Sequence, residues 1–205
     1  MDIEKYFSMA AHEADAAVQA VMKKYKDGYV TDEDDMTGIL LGRLDAAFSG
    51  RIGGIEWSSS VLRHRKGIAS QEGKSGADIL IHVSLDSFGV KYSKGVLVQA
   101  KRISESATMT MRQHSELVSQ CQKMLKISPS SFVFNYDVNS MRCASANRVG
   151  GDSNRNLHEK CNLTAYRFFL ELFRCTVGDN NITSAKFDDL SIPQGISLKG
   201  KAYAD

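Results

Sequence analysis

Only two of the 205 residues are proline, one is tryptophan, and the four cysteines are scattered. So little proline excludes a proline-rich linker or ligand segment and leaves room for long helices and strands. Cys121, Cys143, Cys161 and Cys175 form no C-x-x-C pair and have no histidine at finger spacing, which argues against a structural zinc and against a dithiol redox motif. There is no run of about 18 apolar residues, and Asp2 and Glu4 stand where a secretory leader would be basic and then greasy. The expectation is a cytoplasmic, reduced protein without membrane attachment. Charge of one sign is also lacking: the net is +2, so a polyanionic partner has to be argued from local clusters. What is present, 42% apolar and 24% charged residues, is the composition of a folded domain. A chain this long buries roughly two-thirds of its unfolded surface without disulfides or metal. Residues 1–205 are therefore read as a single domain, with an N-terminal helix over 1–27, a core over 30–178 and a C-terminal extension over 179–205.

Ile3, Phe7, Ala10, Ala14, Ala17, Val18, Val21 and Tyr25 recur at spacings of three and four, which predicts an amphipathic helix over 2–26 that Gly28 ends. Thr31 or Asp32 caps a second helix that runs to about Phe48. Residues 51–76 are mixed and are read as an irregular strand and a loop. The alternation in residues 78–85 sends Ile79, Ile81, Val83 and Leu85 to one face and Asp78, Leu80, His82 and Ser84 to the other. In residues 95–102, Val96, Val98 and Ala100 oppose Leu97, Gln99 and Lys101, and the linker around Asp86, Ser87 and Gly89 predicts an antiparallel hairpin. A helix over 105–127, a strand from Phe132 to Tyr136, a mobile polar loop over 139–156 and a helix over 162–177 complete the reading. Residues 179–205 are weakly patterned. The fold class is α/β, a mixed central sheet flanked by helices.

Four polar residues fall where core residues are expected. On the second helix Met36, Leu40, Leu44, Ala47 and Phe48 lie within about 60° of Glu33, whereas Asp34 and Asp35 point about 100° and 200° away. Taken alone, Glu33 has an ordinary alternative role beside the positive end of the helix dipole. Asp78 opens a strand after Gly76, where a missing side chain permits a tight turn. Gln99 and Lys101 share one face of the next strand among Val and Leu, and long polar groups there need partners. A core amide and a snorkelling lysine are the structural alternatives.

The order Glu33, then Gly76-Ala77-Asp78, then Gln99-Ala100-Lys101 resembles the PD-(D/E)XK, or restriction-endonuclease-like, nuclease superfamily, in the subset where Gln replaces the second acid. The likeness covers residues 30–178 and implies an αβββαβ core with a metal-dependent endonuclease site. Glu33, Asp78, Gln99 and Lys101 would be catalytic, with Glu33, Asp78, the Gln99 side-chain oxygen and the Ala100 carbonyl holding Mg²⁺, or Mn²⁺ as its substitute. A hard divalent cation would supply charge neutralisation and orient water at a phosphodiester, while Lys101 stabilises charge beside the scissile phosphate. The neutral Gln99 implies weaker metal binding than a carboxylate would give.

The partner implied is duplex DNA, and the setting implied is a restriction or anti-phage defence system, as a homodimer or as a subunit of a larger complex. Arg63, Arg65 and Lys66 in one basic run, and Arg142 and Arg148 in the polar loop, are candidate phosphate contacts, because Lys and Arg release counterions on binding. Arg102, beside Lys101, and Gln113 and Gln120 on the following helix are further candidates. Glu72 is a loop acid within reach of the site, with an ordinary solvated carboxylate as the alternative. His82 is read as a core histidine, and His158-Glu159 lacks the second histidine of a zincin helix. The alternative function is a catalytically inactive module of the same fold that binds nucleic acid or a partner protein.

Overall fold

The computed structural model describes residues 3–63 and 75–203. One eight-stranded mixed sheet, in the order β1-β2-β8-β3-β4-β5-β6-β7, separates two layers of helices. Helix α1 (Ile3–Lys26) buries Phe7, Ala10, Ala11, Ala14, Ala17, Val18, Val21 and Met22 against α2, α6 and the sheet. The apolar stripe read from the sequence is thus consumed within the chain. Helix α2 (Glu33–Ala47) starts at Asp32, whose side chain accepts from the Asp34 amide at 2.9 Å. The hairpin of β1 (Gly50–Ile52) and β2 (Ile55–Arg63) forms one end of the sheet.

Strands β3 (Ile79–Ser87) and β4 (Val90–Lys101) pair antiparallel, as their alternation predicts. Phe88 and Gly89, both with positive φ, make the two-residue turn whose twist suits such a hairpin. Ile79, Ile81, Val83 and Leu85 pack toward α1, α2 and α6, while Leu80 and Leu97 pack toward α3 (Met111–Ile127). That helix begins at Thr110 with a capping box to Gln113, later than the sequence expectation of about 105. The cause lies in the adjacent strand β5 (Ser131–Asp137), which pairs parallel to β4. Its buried Asn135 bonds both the N–H and the C=O of Ile103 at 3.0 Å, and Asp137 accepts from the Glu105 amide at 2.9 Å. These side chains hold the segment after β4 in an irregular path, and the helix starts only at the Thr110 cap.

Two expectations are corrected here. Residues 139–156 are not a mobile loop but hold strand β6 (Ser140–Ser145) and helix α4 (Ala146–Gly151). Met141, Cys143 and Ala144 are buried there, and Ser145 caps α4, so the half-buried Arg142 and exposed Arg148 disguised an ordinary strand and helix. After α5 (Leu157–Lys160), the short β7 (Leu163–Thr164) and α6 (Ala165–Phe173), the weakly patterned C-terminal stretch holds α7 (Lys186–Asp189) and β8 (Gln194–Ala202). Read as an extension to the core, this stretch instead places β8 inside the sheet, antiparallel to β2 and parallel to β3. Gly195 makes that possible, since a Cβ there would approach the Leu80 carbonyl to 2.7 Å. No helix among the described residues is long and apolar enough to cross a membrane.

Candidate active site

The N-terminal end of β3 and the C-terminal end of β4 lie side by side, and the first turn of α2 comes up against them. Asp78 is clamped by its backbone: its N–H donates to the Val98 carbonyl at 2.9 Å, and its own carbonyl accepts from the Gln194 amide at 3.3 Å. Two residues earlier Gly76 takes φ +73°, and a Cβ there would fall 2.5 Å from the Gln120 carbonyl of α3. The turn expected at this glycine is therefore compulsory. From this anchored position the Asp78 Oδ2 accepts from the Ala100 N–H at 2.9 Å and from the Gln99 side-chain NH₂. That same NH₂ donates to the Ala100 carbonyl at 3.1 Å. Both neighbours are acceptors, so the amide has to present its nitrogen to them. Its Oε1 is left buried with no hydrogen-bond partner.

Lys101, two residues beyond Gln99 on the same face, reaches Glu33 with Nζ 3.5 Å from Oε1. Both side chains are about a quarter to a third exposed, at 26% and 30%. The two halves of the site sense each other. Burial pushes the Asp78 carboxyl up to about 7; the Lys101 ammonium and the Ala100 N–H pull it down, while Glu33 and Asp34 push it further up. Glu33 is likewise raised by burial, against the pull of Lys101 and of the Arg102 backbone. One ammonium facing buried carboxyls leaves a site in which added positive charge, as a proton or a cation, is favourable.

The residues read as metal ligands fit such an ion. Asp78 Oδ2 and the Ala100 carbonyl already converge on one hydrogen-bond donor, the neutral Gln99 NH₂, whose place a cation would take. Turning the Gln99 amide over would bring its unpartnered Oε1, an oxygen of the kind Mg²⁺ prefers, to the same place. Among the described residues no three His, Cys, Asp or Glu side chains gather into a metal site by themselves. A cation here would therefore draw on the amide and the backbone carbonyl as well as on the carboxylates.

Beside this centre Glu33, Lys101, Arg102, Gln113 and Gln120 line a cleft of about 410 Å³. Gln113 spends its Oε1 on the Thr110 cap, whereas the Gln120 Oε1 is buried and unpartnered. Asp35 is exposed and Glu33 half-buried, as the helix phase predicts. Arg63 lies elsewhere, beside Gln194 and Gly38. Arg65, Lys66 and Glu72 fall outside the described residues. Arg142 sits on β6, two strands from Lys101 in the same register row, and Arg148 donates from Nε to the Lys160 carbonyl at 2.7 Å. Neither lines the cleft. His82 is a core residue, bonded to Ser197 and Ser93 at 2.9 Å, with burial pushing its pKa down to about 4.

Asp34 was missed. It borders both the cleft and a small depression of about 80 Å³ that it shares with Asp78, Pro193 and Gln194. The acidic run Glu33-Asp34-Asp35 was a visible signal, but an angular criterion aimed at the buried stripe passes over an acid that faces the site from its rim. Gln194 had no such signal, because its place depends on where β8 enters the sheet. No protein-family model matches this chain, and no curated protein matches its sequence.

Proposed function

We propose that this chain is a divalent-metal-dependent nuclease that hydrolyses phosphodiester bonds in DNA. The observation that carries the reading is the convergence of Glu33, Asp78, Gln99 and Lys101 at the ends of two adjacent strands and one helix. A surface that only grips a partner has no need of a lysine held beside two carboxyls whose pKa values are raised by burial. The order α2, β2, β3, β4, α3, β5 supports a restriction-endonuclease-like core, with β8 between β2 and β3 as an addition to that pattern.

In this reading Glu33, Asp78, Gln99 and the Ala100 carbonyl would hold Mg²⁺, which would supply Lewis-acid polarisation and charge neutralisation at the phosphate. Lys101 stands at the cleft surface, where its ammonium offsets charge that develops on the phosphoryl oxygens. Glu33 orients Lys101 through their ion pair and competes for it until a phosphate arrives. Asp78, held by the Ala100 N–H, keeps its carboxylate aimed without help from solvent. Arg102, Gln113 and Gln120 flank the path of the backbone. Cutting both strands calls for two such sites, most simply in a two-fold dimer or within a larger defence assembly.

Cleavage of linear and supercoiled duplex under Mg²⁺ tests the reading. Wild type is expected to nick or cut, and Lys101→Ala is expected to lose at least a hundredfold in rate, at the low end for a positioned charged group. A wild-type protein that binds DNA yet never cuts it with Mg²⁺ or Mn²⁺ would replace this reading with the non-catalytic module.

A further inference from the structure

A second cleft adjoins the first. Between α1 and α2 the chain presents Tyr29 with 83% of its surface in water. A single exposed aromatic needs no explanation by itself, so its location is what matters. Tyr29 is one wall of a cleft of about 530 Å³ shared with Gly38, Arg63, Pro193, Gln194 and Asp34. Pro193, Gln194 and Asp34 also border the depression over Asp78, and Asp34 borders the cleft that holds Glu33 and Lys101. The three concavities share walls and together cross the candidate active site from one side to the other.

The chemistry of the outer cleft differs from that of the cleft around Lys101. Tyr29 and Pro193 offer apolar faces, while Gln194 and Arg63 offer directional hydrogen-bonding groups. Asp34 at the rim disfavours a phosphate there, so a base fits better than backbone does. Helix α2 contributes a glycine at this spot: a Cβ on Gly38 would meet the Gln194 Oε1 at 3.5 Å and the Arg63 Nη2 at 3.8 Å. The floor is thus open just where the two polar side chains converge. The volume lies within the range of small-ligand sites.

We propose that this cleft is a nucleobase subsite, in which an unpaired base of the DNA strand stacks on Tyr29 while Gln194 and Arg63 hydrogen-bond its edge. Bases inside a duplex have both faces covered by neighbours and cannot take this position. The preferred substrate is therefore a strand with an unpaired nucleotide next to the scissile phosphate, as at a single-stranded end or a locally opened duplex. This assignment rests on the nuclease reading and adds to it the state of the DNA that is cut.

Fluorescence anisotropy with a short labelled single-stranded DNA oligonucleotide, in the Lys101→Ala background so that the strand stays intact, reads the subsite directly. Tyr29→Ala is expected to weaken binding about tenfold, the lower part of the range for one base stack, and Tyr29→Phe to keep it. An oligonucleotide made abasic throughout is expected to bind both Tyr29 forms equally. Gly38→Leu, which fills the floor and improves helix propensity, is expected to weaken binding as Tyr29→Ala does without lowering the melting temperature. If Tyr29→Ala and Gly38→Leu bind like their parent while wild type still cuts DNA, the subsite is overturned and the nuclease reading stands. If wild type neither binds nor cuts DNA, both fall together.

Discussion

Asp78 is the residue on which the chemistry of the site turns, and its burial makes its charge conditional. With its pKa near 7, a proton competes with any cation for this carboxylate. Mn²⁺ affinity measured by calorimetry is expected to fall about tenfold per pH unit below 7 and to level off above 8. The same shift bears on stability without metal. The folded-state pKa lies above the unfolded value, so the folded protein binds the proton more tightly and this group's contribution to stability falls as pH rises from about 4 to about 7. Asp78→Asn removes the buried charge while keeping an oxygen for the Ala100 N–H. At pH 8 it is expected to raise metal-free stability by on the order of 2–4 kcal/mol, seen in chemical denaturation, and to abolish Mn²⁺ binding. Asp35→Ala, on the exposed side of α2, is expected to leave Mn²⁺ binding close to wild type.

Elements fix these residues in place, and the contact between α3 and the entry to β3 is the most sensitive of them. Gly76 occupies the left-handed region, and its Cα faces the α3 backbone with no space for a side chain. Gly76→Ala therefore combines an unfavourable φ with a backbone clash, and is expected to cost about 2 kcal/mol or more. Because Asp78 lies two residues on, the variant is expected to weaken Mn²⁺ binding in native conditions as well, which a remote destabilisation would not do. The irregular segment between β4 and α3 illustrates the same dependence. Asn135 and Asp137 tie down Ile103 and Glu105, which sets the direction in which the chain leaves Lys101.

At the scale of the whole molecule, strand β8 joins the β1-β2 hairpin to the half of the sheet that carries the site. Its removal would leave β2 and β3 with open edges and take Ile196 and Leu198 out of the core they now fill. A chain ending before Gln194 is expected not to fold, as judged by the loss of a cooperative melting transition in circular dichroism. Gln194 belongs to both candidate clefts on the Asp78 side, so the strand that completes the sheet also completes the site.

The elements bearing local periodicity were legible from the sequence: α1 from its apolar stripe, β3 and β4 from their alternation, and Glu33, Asp78, Gln99 and Lys101 from polar residues at core positions. These features depend on the helical and pleated repeat, which neighbouring residues alone establish. Tertiary structure decided the rest. The late start of α3 follows from Asn135 and Asp137 reaching across from another strand, and the identity of residues 140–151 as strand and helix follows from packing that outweighs a polar composition. The position of β8 follows from Gly195 admitting the Leu80 carbonyl, and with it comes Gln194 at the depression over Asp78. In each case the deciding contact joins residues distant along the chain, so no local pattern could contain it.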